Sequence, residues 1–80
     1  MRVVLVGPFA AEFFAGRDSI EIEAVNMFAL VRALDALGPG FADAVQERAA
    51  IAVDGVVVAD WSAPLAGAAE ALIVPKIAGG

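Results

Sequence analysis

The residues best suited to chemistry lie at the end of the chain, in Pro75-Lys76-Ile77-Ala78-Gly79-Gly80. Gly79 and Gly80 carry no Cβ and can thread a narrow channel that any side chain would block. They leave the carboxylate of Gly80 within reach of a partner. A carboxylate is inert toward nucleophiles until it is activated, for example as an acyl-adenylate. The chain has no Gly-x-x-x-x-Gly-Lys loop to hold a nucleotide, so activation must come from another protein. On the tail alone, an ordinary frayed terminus is the competing reading. Elsewhere the chemical inventory is thin. There is no Cys, His or Tyr, and Ser19 and Ser62 are the only hydroxyl side chains. Disulfides, cysteine–histidine zinc sites, iron–sulfur clusters, thiol catalysis and histidine-based triads are thereby excluded.

The remaining candidates have structural readings beside functional ones. Phe13 and Phe14 fit either an apolar docking patch, since aromatic residues are enriched in interface cores, or a cap on a small core. Lys76 fits a pairing with an acidic partner group or a plain solvated position. Trp61 reads as packing over a sheet, Asp54 as a turn residue, and Glu21 and Glu23 as a solvated strand face. None of the acids forms a convincing acid–base pair.

Several elements must position these residues. Residues 2–7, an apolar run closed by Gly7-Pro8, read as a strand covered on both faces. Residues 19–24 alternate, with Ile20, Ile22 and Ala24 opposite Glu21 and Glu23, and read as a half-exposed strand pairing with the first. Residues 8–18 read as the loop between them. Asn26 reads as a helix N-cap, with Val25 and Leu30 spaced for a hydrophobic staple. Met27, Leu30, Val31, Leu34 and Leu37 then form one apolar stripe. Gly38-Pro39-Gly40 ends this helix, with a glycine free to turn left-handed. Residues 41–48 hold a short helical turn. Ala50–Val53, Asp54-Gly55 and Val56–Val58 spell a tight hairpin. Leu72–Val74 form the last strand, reaching Ile77. The expectation is an α+β domain, a mixed sheet on one main helix, with first and last strands paired in the middle.

Eighty residues hold one small domain, here residues 1–80 with a flexible tail from about 76, and 61% hydrophobic residues supply a core. Ten acids against five bases give a net charge of −5, which repels a phosphate backbone and favours a basic protein partner. Nucleic acid is not expected as a partner. Arg2 with Val3–Val6 and Ala10-Ala11 imitates a secretory signal only faintly, because Gly7-Pro8 breaks it. No stretch approaches the roughly 20 apolar residues of a membrane span. No membrane association and a cytoplasmic location are therefore expected.

A chain of this order that ends in apolar residues, Pro and Ala-Gly-Gly resembles the ubiquitin-like sulfur carriers of the β-grasp fold. Among them it is most similar to the molybdopterin synthase small subunit. The resemblance spans nearly the whole chain. It is carried by Ala52-Val53-Asp54-Gly55 with Val56-Val57-Val58, by Pro64-Leu65, and by Glu70 through Gly80. It implies a β-grasp domain whose Gly80 carboxylate is adenylated by a ubiquitin-activating-like enzyme using ATP. Sulfur from a persulfide donor then gives a thiocarboxylate, for use in molybdenum cofactor biosynthesis with the large synthase subunit. The chain would be the non-catalytic subunit and bind no cofactor itself. Gly79 and Gly80 would supply reach and the reacting carbon, and Phe13, Phe14, Pro75, Lys76, Ile77 and Ala78 the partner contacts. The chain departs from the family at Ala68-Ala69-Glu70, where Gly-Asp-Glu is usual, and at Pro75-Lys76, where Pro-Pro is frequent. Two alternatives stay open. One is a carrier for thiamine, cysteine or another sulfur metabolite, and the other is a β-grasp interaction module that is never activated.

Overall fold

The computed structural model describes residues 1–76. In chain order the elements are β1 (Arg2–Leu5), α1 (Phe9–Phe13), β2 (Ser19–Glu21), α2 (Met27–Leu37), α3 (Phe41–Arg48), β3 (Ala49–Val53), β4 (Val56–Val57) and β5 (Glu70–Pro75). They form an α+β fold with one mixed five-stranded sheet in the order β2-β1-β5-β3-β4. The first and last strands do pair in the middle, in parallel, with Val3 beside Ala71 and Leu5 beside Ile73. β1 also pairs antiparallel with β2, and β3 lies antiparallel to β5 with Ile51 beside Ile73. Asp54 and Gly55, both at positive φ, close the β3–β4 hairpin, as their sequence requires.

Three helices cover the sheet, where one main helix was expected. Asn26 caps α2 as its sequence indicates, its Oδ1 accepting from the Ala29 N–H at 2.9 Å. Met27, Leu30, Val31 and Leu34 are buried, but Leu37 is 52% exposed and lies outside the stripe. The expected staple is not made, because Val25 is 75% exposed. Gly38 is not left-handed, at φ −129°. It is glycine because a Cβ there would sit 2.5 Å from the Phe13 carbonyl oxygen. The left-handed turn falls two residues later, at Gly40. The expected helical turn after it is a full helix, α3. Gly40 has no side chain to cap α3, so Asp35 reaches across from α2, its Oδ1 accepting from Gly40 N–H at 3.2 Å and Ala42 N–H at 2.9 Å.

The span 8–18 is not a plain loop. It contains α1, which brings Phe9 into the core, and Phe14 follows at 5% exposure. Phe41 stands at the centre of this end of the core, its ring edge-on to those of Phe9, Phe13 and Phe14 at centroid distances of 6.3, 5.7 and 5.1 Å. Such tilted pairs add attraction beyond burial alone. β1 is covered on one face only: Val3 and Leu5 are buried, Arg2 is exposed and Val4 half-buried. Among the described residues, no helix is long and apolar enough to cross a membrane.

Candidate functional site

All three helices lie on the face of the sheet that carries Val3, Leu5, Ile20, Ile51, Ala71 and Ile73, and with them form one buried cluster. Side chains alternate along strands, so the residues between these point the other way. The register aligns them in rows. Nearest the start of β5, Arg2 lies between Glu21 and Glu70. The next row is Ser19, Val4, Leu72, Ala52 and Val57. The third pairs Val74 with Ala50, and Val6 joins that end of the sheet by donating its N–H to the Ile73 carbonyl at 2.8 Å. Val4, Ala50, Ala52, Leu72 and Val74 are half-buried, and Val57 is 66% exposed. The open face therefore runs from a charged row, through two apolar rows, to the exit of β5.

That exit is held from two sides. On one, Gly7 sits at φ +81°, where a Cβ would come 2.7 Å from the ring Cγ of Pro75. On the other, Lys76 continues the pairing past β5. Its N–H donates to the Arg48 carbonyl at 2.9 Å, and its Nζ donates to the Gln46 carbonyl at 2.8 Å. Arg48 is itself anchored, donating to both carboxylate oxygens of Glu12 at 3.1 and 2.6 Å. Its guanidinium lies 5.8 Å from the ring centres of both Phe9 and Phe13. The ion pair holds the Glu12 carboxyl below its ordinary pKa, through the hydrogen bonds from Arg48.

The other end of β5 is fixed by Asp54. Its carboxylate accepts from the Ala69 N–H at 3.1 Å and the Glu70 N–H at 3.0 Å, while its own N–H donates to the Glu70 carbonyl. At the sheet edge beyond β3, β4 pairs with only Ala52 and Val53. This leaves a groove of about 350 Å³ against the start of β3, walled by Val45, Val57, Val58, Trp61 and Lys76. No protein-family model matches the sequence, and no curated protein matches it at a significant level.

Of the residues expected to contact partners, Pro75 and Lys76 stand together at the exit of β5, both exposed. Ile77, Ala78, Gly79 and Gly80 lie outside the described residues. Phe14 is buried and Phe13 is half-buried and packed against the core, which agrees with the core-capping alternative. Trp61 packs against the core as expected and meets Phe28 edge-on at 5.7 Å. The Ser62 hydroxyl donates to Asp60 and, with the Ser62 N–H, lowers that carboxyl's pKa. Among the described residues, no group of three or more His, Cys, Asp or Glu could hold a metal. The reading from sequence missed Gly7, whose pairing with Pro8 registered only as a strand breaker. It also missed the second task of Asp54, because a hairpin aspartate gives no sign of a partner fifteen residues away.

Proposed function

We propose that the chain is a β-grasp sulfur carrier of the molybdopterin synthase small-subunit type. The observation that carries the reading is the placement of β5. It is a central strand, paired on both edges, and it carries the chain to Pro75 and Lys76 at one end of an open apolar face. An activating enzyme needs both features, a surface on which to dock the folded domain and a chain end it can draw into its own site. The mixed sheet order, with first and last strands parallel at its centre, agrees with a β-grasp.

In this function the Gly80 carboxylate attacks the α-phosphate of ATP held by the partner, forming an acyl-adenylate and releasing pyrophosphate. A persulfide sulfur then attacks the acyl carbon and AMP leaves. Reductive cleavage of the S–S bond by a donor thiol yields the thiocarboxylate. This chain contributes docking, reach and the reacting carbon, while the catalytic side chains and the recipient pocket belong to partners. Capture of a C-terminal carboxylate by backbone groups is an established recognition mode.

The experiment is intact mass spectrometry after incubation with an activating enzyme, ATP and a sulfur donor. The expected result is a gain equal to one oxygen replaced by sulfur, absent when Gly80 is deleted. An unchanged mass, with the enzyme competent on another carrier, overturns the reading. The open apolar face by itself favours a second reading, an interaction module that is never activated. Deleting Gly80 leaves a module's binding intact and abolishes a carrier's function.

A further inference from the structure

The last carbonyls of a helix have no partner within it and carry its negative dipole end. In α3, the Val45 carbonyl is taken by the Ala49 N–H. The Gln46 and Arg48 carbonyls are both taken by Lys76, one by its ammonium and one by its backbone N–H. The Arg48 side chain does not compete for this place, being turned to Glu12 and the rings of Phe9 and Phe13. Lys76 is thus the cation at the C-terminal end of α3 and also the last residue before the tail. Its two bonds are 30 and 28 residues from their acceptors in sequence, so they tie the chain end to a separate element.

We infer that Lys76 is a positioning residue: by capping α3 it fixes the end of β5, the point to which Ile77 is joined. This rests on the proposed function and deepens it, because a fixed starting point makes the tail a ruler. Four residues at full extension reach roughly 13–14 Å, so the reacting carbon of Gly80 lies no farther than that beyond Lys76. A partner channel of matching depth accepts the tail at little entropic cost when its root is held. When the root is loose, the pivot moves back to Pro75 and the same channel must order an additional residue.

The test compares Lys76→Met, which keeps the aliphatic stem but cannot donate, with Lys76→Arg, which can, both in the full chain. The first readout is hydrogen exchange of the residue 76 amide by NMR. Loss of the ammonium bond is expected to speed exchange about fivefold in Lys76→Met, leaving Lys76→Arg near wild type and core amides such as Ile73 unchanged. The second is steady-state thiocarboxylation by an activating enzyme that accepts the wild-type chain. Lys76→Met is expected to raise KM for the carrier about fivefold at unchanged kcat, with Lys76→Arg restoring it. Equal exchange in wild type and Lys76→Met overturns the latch. Altered exchange with unchanged KM overturns the positioning role. If no activating enzyme accepts the wild-type chain, the sulfur reading fails and the inferred role in activation fails with it, whereas the exchange measurement still decides the latch.

Discussion

The two faces of the sheet carry similar side chains and have different fates. On one, Val3, Leu5, Ile51 and Ile73 are buried under three helices; on the other, Val4, Ala50, Ala52, Leu72 and Val74 are only half-buried, with no helix above them among the described residues. Apolar strand residues alone therefore do not say where the core is. The helices decide it, because α1, α2 and α3 each present an apolar surface and all three choose the same side. The second face is left apolar without being a core. Exposed apolar surface of this kind marks an interaction site or a liability, and its charged first row places the apolar part toward the tail.

The comparison breaks most severely at Phe41, which is fully buried among three other aromatic rings. Phe41→Ala is expected to cost about 3–5 kcal/mol, a large share of the roughly 4–12 kcal/mol available to a domain of this size. Urea denaturation followed by circular dichroism measures it, and a loss below about 1 kcal/mol would mean that the aromatic cluster does not organise the packed face. Gly7→Ala comes next. Its φ of +81° disfavours any side chain, and the new Cβ meets Pro75. A loss of about 1–2 kcal/mol is expected from the backbone alone, together with weakened pairing at the end of β5, visible as faster amide exchange at Val6. Asp54→Ala removes the bonds to Ala69 and Glu70 and is expected to cost about 1 kcal/mol, while Asp54→Asn, which tolerates the left-handed backbone, retains part of it. Leu72→Glu sharpens the contrast directly. On an open face it changes stability by no more than about 1 kcal/mol yet abolishes partner docking in a pull-down. If it unfolds the domain instead, this face is packed and the comparison fails.

Much of the architecture was legible in the sequence, and the misses have physical causes. The Asn26 cap, the α2 stripe and the Asp54-Gly55 hairpin are local devices, set by residues within a few positions; the cap and the hairpin turn appear as read, and the stripe does so except at Leu37. The central pairing of β1 with β5 also appears as expected. What local patterns could not carry was distance. β1 read as covered on both faces because Val4 is as apolar as Val3, and only the location of three helices separates them. Phe13 and Phe14 read as either a docking patch or a core cap, because nothing in their neighbourhood announces that Phe41 comes to meet them. Asp54 holding the start of β5 and the α3 carbonyls holding Lys76 join residues 15 and 30 positions apart, and Asp35 caps α3 across the turn between two helices. The tail could be read as chemistry from composition, but its root could not. Lys76 read as a solvated lysine or one paired with a partner's acid, and its ammonium is spent on a backbone carbonyl 30 residues away.

The smallest effect concerns the ion pair behind that root. Glu12 is held below its ordinary pKa by its hydrogen bonds to Arg48, so its folded value is lower than its unfolded one. Such a group stabilises the fold fully above the unfolded value, and that contribution disappears as pH falls through the folded value. The pair is exposed and salt screens it, so the slope is shallow. It is expected as a lower denaturation midpoint on acidification below the ordinary glutamate range, with Glu12→Gln removing that part of the pH dependence. The same variant sharpens the comparison of faces. Glu12 joins α1 to α3 on the helical side, so losing it should loosen the packed face and leave Leu72, Val74 and their open neighbours unchanged. An NMR titration reads both at once. Shifts that track Glu12 at Phe9, Phe13 and the Lys76 amide, with none at Val4 or Leu72, are the expected outcome. Equal shifts on the open face would mean that the two faces are coupled through the sheet and cannot be treated as separate surfaces.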